Sequence, residues 1–228
     1  RAAVVTADTK RYHIEYESLM RYVNNFQLIN FGIDTERFAL PVAESSGVLK
    51  ILMTRNHYDV YDNSTAIKAF KLLVAEYELD FEVVIAGAGP LTEALKAEVA
   101  EVPELHDRVV FAGRYSQAEL LDYLVWCDVY VSCSRADAGL AASLAEAMAV
   151  QRLVIASDVA DNAYWITRVT GILFEVGNSR ALANALNDAA KMDRRAIGAA
   201  ARRLMKQKND LTSEMNRCRA LHRKFLCH

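Results

Sequence analysis

The sequence predicts an α/β fold: a Rossmann-like doubly wound parallel sheet preceded by an amino-terminal strand–helix–strand stub. Three observations carry that prediction. Apolar runs of strand length alternate with longer stretches of helical period along the chain. Two of those runs, Val83-Val84-Ile85-Ala86 and Val129-Tyr130-Val131, are continuously hydrophobic, as parallel strands covered on both faces must be. Loops of glycine or polar character leave the carboxyl ends of successive strands, the edge at which open α/β sheets bind ligands.

The elements follow in order. Strands at residues 3–6 and 27–30 flank a helical stretch at about 10–23, a unit too small to bury both of its faces alone. Pro41-Val-Ala-Glu-Ser-Ser-Gly47 interrupts the pattern with Pro, Ser and Gly and reads as a linker. Strands at 49–54, 82–86, 108–111, 129–132, 153–156 and 172–174 then alternate with helices at about 64–76, 92–101, 117–126, 141–150, 162–167 and 180–191. Asn63 or Ser64 is the expected cap of the first of these helices. After Asn187 the chain turns helical and cationic, with Arg194, Arg195, Arg202, Arg203, Lys206, Lys208, Arg217, Arg219, Arg223 and Lys224 at helix-like intervals, which reads as a solvated face. The organisation expected is an amino-terminal stub at 1–42, a parallel α/β domain at 43–190 and carboxy-terminal helices at 191–228.

At 228 residues, 53% hydrophobic and 25% charged, the chain has the composition of a globular protein with a substantial core. A formal net charge of −2 with pI near 6.3 argues against a polyanion partner, so nucleic acid is not expected. Cys127, Cys133, Cys218 and Cys227 show no CxxC spacing, and two of them lie in or beside an apolar run, where thiols pack as small hydrophobes. No metal site or cofactor is expected, and a reducing, cytoplasmic setting fits. No run approaches the roughly 18 to 20 apolar residues of a bilayer span, and the amino terminus lacks a secretory layout, so membrane contact is not indicated.

Three segments hold chemistry. In the first, a buried strand ends in Gly87-Ala-Gly89-Pro90, a turn that opens a helix, where backbone and a phosphate or ring can approach closely; a tight βα turn explains it equally well. It is not a dinucleotide fingerprint, since the third glycine is absent. In the second, Val129-Tyr-Val-Ser132 runs into a small-residue loop, Cys133-Ser-Arg-Ala-Asp137-Ala-Gly139, and then a helix with Leu140, Leu144 and Met148 on its core face and Glu146 off it. Amides near Gly139 suit a diphosphate, and a carboxylate two turns along suits a ribose diol, although a solvated helix former is the commoner role of such a Glu. In the third, Thr54-Arg55-Asn-His57-Tyr58 follows a strand, and Arg55 is suited to neutralise a diphosphate or else lies at the surface.

Residues from Gly47 to about Ala190 resemble the carboxy-terminal domain of family-4 glycosyltransferases, enzymes of GT-B architecture with two facing Rossmann-like domains. The resemblance rests on Ile85-Ala-Gly87-Ala-Gly89-Pro90, Val109-Val-Phe111-Ala-Gly113-Arg-Tyr115-Ser, Cys127-Asp128-Val-Tyr-Val-Ser132, Leu144-Ala-Glu146-Ala-Met148-Ala149 and Val154-Ile-Ala-Ser157-Asp158-Val. Phe26 to Phe38 resembles the crossover from the acceptor-binding domain into the donor-binding one, so 1–42 reads as the remnant of an acceptor-side domain.

The resemblance implies a nucleoside-diphosphate sugar as donor, transfer with retention at the anomeric carbon, and no divalent metal. By position it implies that Glu146 holds the ribose hydroxyls, Arg55 the diphosphate and the Phe111–Tyr115 segment the base. Gly87, Gly89, Gly139 and Leu140 are the remaining donor contacts. Two departures stand out. The acidic residue usual eight positions before the ribose glutamate is here Ala138, with Asp137 one residue earlier as the catalytic candidate, and the usual Lys-Gly of the first loop is Tyr61-Asp62. The expected function is donor binding in a hexosyltransferase, incomplete without an acceptor-binding domain or subunit. The alternatives are a non-binding or engineered scaffold of the same fold, and a nucleotide-sugar epimerase, for which His57, His106 and His222 show no catalytic arrangement.

Overall fold

Residues 4–9, 26–41 and 47–226 are described by this computed structural model, and they form two parallel sheets of unequal size. The smaller pairs β1 (Val5–Ala7) with β2 (Phe26–Leu28). The larger contains β3 (Leu49–Met53), β4 (Phe81–Ala86), β5 (Val109–Gly113), β6 (Val129–Ser132), β7 (Leu153–Ser157) and β8 (Ile172–Phe174) in the order β5-β4-β3-β6-β7-β8. Every strand of this sheet is parallel to its neighbours. The expected helix at about 10–23 and most of the linker lie outside the described residues.

Alternation along the strands sorts the side chains into two cores. On one face Ile51, Met53, Val83, Ile85, Val129, Val131, Leu153 and Ile155 pack against α1 (Asn63–Glu76), α2 (Thr92–Ala100) and α6 (Ser179–Lys191). On the other Leu52, Tyr130, Val154 and Ala156 meet α3 (Gln117–Trp126), α4 (Ala142–Ala149), α5 (Asn162–Trp165) and α7 (Arg194–Lys208). This is why Val129-Tyr130-Val131 is hydrophobic without interruption: both faces of the strand are covered. Burying a side chain such as Phe70 or Ile51 stabilises the fold by about 1.5–3 kcal/mol.

Several boundaries differ from the sequence expectations. Neither Asn63 nor Ser64 caps α1; its N-cap is Asp62, a left-handed residue at φ 45°, a conformation that Asp tolerates better than most side chains. The Asp62 carboxylate accepts from the Thr65 hydroxyl at 2.8 Å and pairs with Arg135. Helix α5 is a single turn, because Ile166 returns to extended backbone and Thr170 folds back on the carbonyl of Trp165. The cationic tail is two helices, α7 and α8 (Leu211–Leu226), broken at Asn209-Asp210, where the chain bonds to Ile33 of the crossover.

Arg202 corrects the reading of that tail as one solvated face. Its guanidinium donates to the carbonyls of Thr35 and Phe38, both at 2.9 Å, and to that of Ala149, tying the crossover and the end of α4 to α7. Three carbonyls satisfied by one cation outweigh the cost of part-burying it. Arg202→Ala should lower the unfolding free energy by about 2 kcal/mol, read from the midpoint of urea unfolding at unchanged slope. Helix α8 is held by the same segment: Asn30 donates its amide to Glu214 at 2.8 Å and Arg217 donates to the carbonyl of Leu28 at 2.7 Å.

Cys127 and Cys133 are buried free thiols, as their apolar surroundings predict, and burial pushes the Cys127 thiol up to about 12. Among the described residues no helix is long and apolar enough to cross a membrane.

Candidate functional site

The winding direction of the large sheet reverses between β3 and β6, its two central neighbours. Helices leaving these strands must cross to opposite faces, so their first loops diverge and leave a crevice at the carboxyl ends. Arg55 follows β3 and Asp137 follows β6, and they meet across that crevice, an Arg55 Nη to Asp137 Oδ1 contact of 2.5 Å. The guanidinium also lies over the Tyr61 ring, 4.1 Å from its centroid. Arg55 is therefore neither a surface residue nor a free cation.

The rest of the site surrounds this pair. The Tyr115 hydroxyl donates to the carbonyl of Thr54 at 3.0 Å, and the Thr54 hydroxyl is 2.8 Å from that of Tyr130. Burial raises the Tyr115 phenol, with Glu146 acting in the same direction and the Thr54 bond and Arg55 opposing. Glu146 comes from α4, half-buried, and its carboxylate makes no hydrogen bond or ion pair among the described residues. Burial pushes its carboxyl up to about 7, against the pull of Arg37 from the crossover. A lone carboxyl in that state is unlike the solvated helix former that its alanine-rich surroundings suggest. The N-cap of α4 is Ala141, and among the described residues no side-chain capping bond is made there.

Gly87 and Gly89 have a role inside the protein. A Cβ on Gly89 would lie 2.5 Å from the carbonyl oxygen of His57, and one on Gly87, at φ 118°, would lie 3.0 Å from that of Arg55. The turn after β4 thus packs on the backbone of the Arg55 loop and fixes its course. His57 locks the same junction: its Nδ1 lies 2.8 Å from Thr92 Oγ1, and that hydroxyl also lies 2.8 Å from the Gly89 carbonyl oxygen. Burial lowers the His57 pKa, Lys96 adding to the effect, and its Nε2 is left buried without a partner. His106 and His222 lie on other elements, and the described residues hold no cluster of three or more potential metal ligands.

Arg55, Tyr115, Asp137 and Glu146 lie at this one edge of the sheet. Phe111 is half-buried and packs edge-on to His57 at 6.1 Å, while Leu140 is a core side chain that can reach a ligand only through its backbone. Tyr61 enters as the ring under Arg55, and Thr54, Tyr130 and Arg37 join the site without a role legible in the sequence. A tyrosine inside an apolar strand signals a hydroxyl that needs a partner, but its register across to Thr54 appears only in the fold.

The amino-terminal segment reaches the same edge. Thr9 donates to Asp161 at 2.6 Å in a buried bond, and a Cβ on Gly139 would lie 3.4 Å from that of Thr9. The end of β1 therefore covers the loop between β6 and α4.

The family described as Glycosyl transferases group 1 matches residues 50–191, more than half of the chain. The chain belongs to that family. No curated protein matches it significantly. Among solved structures it is similar to a glycosyltransferase from Rickettsia africae, with 19% identity, TM-score 0.85, and 98% of this chain and 63% of that one covered. HepE of Anabaena, solved in complex with UDP and glucose, shares 16% identity at TM-score 0.80, with 96% and 62% covered. Sucrose-phosphate synthase from Thermosynechococcus elongatus shares 21% at 0.82, with 100% and 59% covered. These likenesses establish the fold, a GT-B Rossmann-like domain, and the chain spans less than two thirds of each relative.

Proposed function

We propose that this chain is the donor-binding part of a glycosyltransferase and seats a nucleoside-diphosphate sugar at the crevice between β3 and β6. The observation that carries the proposal is the unpartnered, half-buried Glu146 carboxyl facing the same crevice as Arg55, Tyr115 and the uncapped start of α4. A ribose diol satisfies the carboxylate with two charge-assisted bonds, and a diphosphate suits the α4 amides and Arg55. HepE of Anabaena, which has this fold, was solved with UDP and glucose, and this supports a nucleotide as the ligand. Transfer of a hexosyl group with retention and without a metal rests on the family resemblance. Developing charge on the leaving diphosphate would be stabilised by groups already in place. Turnover requires an acceptor-binding wall, supplied by a further domain or subunit.

Calorimetry and ligand-shifted melting with uridine, guanosine and adenosine diphosphates test the reading. Stabilisation by at least one is expected, and none at millimolar ligand overturns it. Glu146→Ala should weaken binding by about 1–3 kcal/mol, and unchanged affinity would return Glu146 to the role of a helix residue. The Arg55–Asp137 pair favours a second reading, a scaffold whose cation is already neutralised, and the same titration separates the two.

A further inference from the structure

Arg55, the cation at the mouth of the crevice, already holds an anion that belongs to the protein. We propose that Asp137 is a built-in competitor at this site: it occupies Arg55 while the crevice is empty, and a diphosphate binds by displacing it. The inference rests on the donor-binding reading and adds a specificity element to it.

Four observations support displacement over a permanent structural pair. The contact joins the two strands that flank the switch point, where a ligand must enter. It is monodentate, although arginine and carboxylate readily pair through two bonds. Arg55 Nε and Asp137 Oδ2 are both buried and lack a hydrogen-bond partner, so each member keeps one unsatisfied atom. A pair selected for stability alone would satisfy both, since an orphaned charged atom is costly.

The fourth observation says which partner moves. Arg55 lies two residues past β3 and is stacked on Tyr61, while Asp137 lies five residues past β6, in Arg135-Ala-Asp-Ala-Gly139, between two exposed alanines. The carboxylate is the mobile member.

Displacement sorts ligands by charge. A ligand must exceed the single charge of Asp137 at Arg55, or hold on elsewhere while it does so. A diphosphate does both, with one phosphate on Arg55 and the other at the α4 amides. A monophosphate makes only one of these contacts and gains least from the exchange.

The test uses calorimetry on the whole chain with uridine diphosphate, uridine monophosphate and inorganic pyrophosphate. The variants are Asp137→Asn, Asp137→Ser, Arg55→Gln and the Asp137→Asn/Arg55→Gln double variant, each checked for native melting; Asp137→Ser serves if Asp137→Asn fails to fold. Removal of the competing charge should tighten uridine diphosphate and pyrophosphate about tenfold and monophosphate by no more than that, because the displacement cost is the same for any ligand that reaches Arg55 and absent for one that does not. The gain should vanish in the Arg55→Gln background. A wild type that binds, with Asp137 variants that bind equally or more weakly, overturns displacement and leaves the donor site standing. Binding by Asp137→Asn where the wild type shows none supports displacement. No binding by any form overturns the donor site and the competitor together.

Discussion

Uridine diphosphate should bind about a hundredfold more weakly at pH 5 than at pH 8, with the decline beginning near pH 7. Burial has raised the Glu146 carboxyl to about 7, so in the empty protein it carries its proton through most of the acidic range. A ribose diol donates two hydrogen bonds and needs the ionised form, which means that binding must expel the proton. Below the raised pKa each pH unit costs about tenfold in affinity, and above it the dependence vanishes. The nucleotide's own phosphates also titrate, so the comparison that matters is with Glu146→Gln. That variant retains the phosphate contribution and loses the protein's. Parallel pH profiles for wild type and Glu146→Gln would show that the carboxyl does not meet the ligand. In the empty protein the sign is opposite: Glu146 favours the folded state below its unfolded value, and that contribution fades as pH rises through about 7.

Replacing Gly198 by alanine should lower the unfolding free energy by about 3 kcal/mol or more. Gly198 lies buried in α7, and a Cβ there would be 2.0 Å from the carbonyl oxygen of Gln151. The obstacle is backbone, held at φ 63° just after α4, so no rotamer change relieves it. Helix α7 would have to move away, which strains the three carbonyl bonds of Arg202 and loosens the packing beneath Glu146. Thermal unfolding checks the loss. A midpoint within a degree of wild type would mean that α7 does not sit against the end of α4. On an isolated helix the same substitution would stabilise, since alanine is the better helix former, so tertiary contact reverses the sign.

The fold was largely legible in the sequence because its signals are local. All six strands of the large sheet fall within a residue or two of where apolar runs place them, and α1 to α4 and α6 follow the 3.6-residue period between them. The site was legible in part. Arg55, Tyr115 and Glu146 could be assigned to one sheet edge because each follows a strand's carboxyl end by only a few residues or sits on the next helix. The pairing of Arg55 with Asp137 could not, since 82 positions separate them. The glycines of the β4 turn suit close approach of a ligand or a tight turn equally well by sequence, and the fold packs them on the carbonyls of Arg55 and His57.

By itself the sequence determined the strand and helix periods, the βα alternation that makes the sheet parallel, and the family, through motifs set by short-range chemistry. Only the tertiary structure decided which charges are spent inside the protein. Arg202, one of ten cations in a tail, is a crossover clamp; Arg55, read as a diphosphate cation or a surface residue, is half of an ion pair; Glu146, read as a ribose ligand or a solvated helix former, is a half-buried carboxyl without a hydrogen-bonded partner among the described residues. The reason is physical. Periodicity is written in neighbours three or four residues apart, whereas burial and pairing depend on groups that meet only when the sheet is assembled.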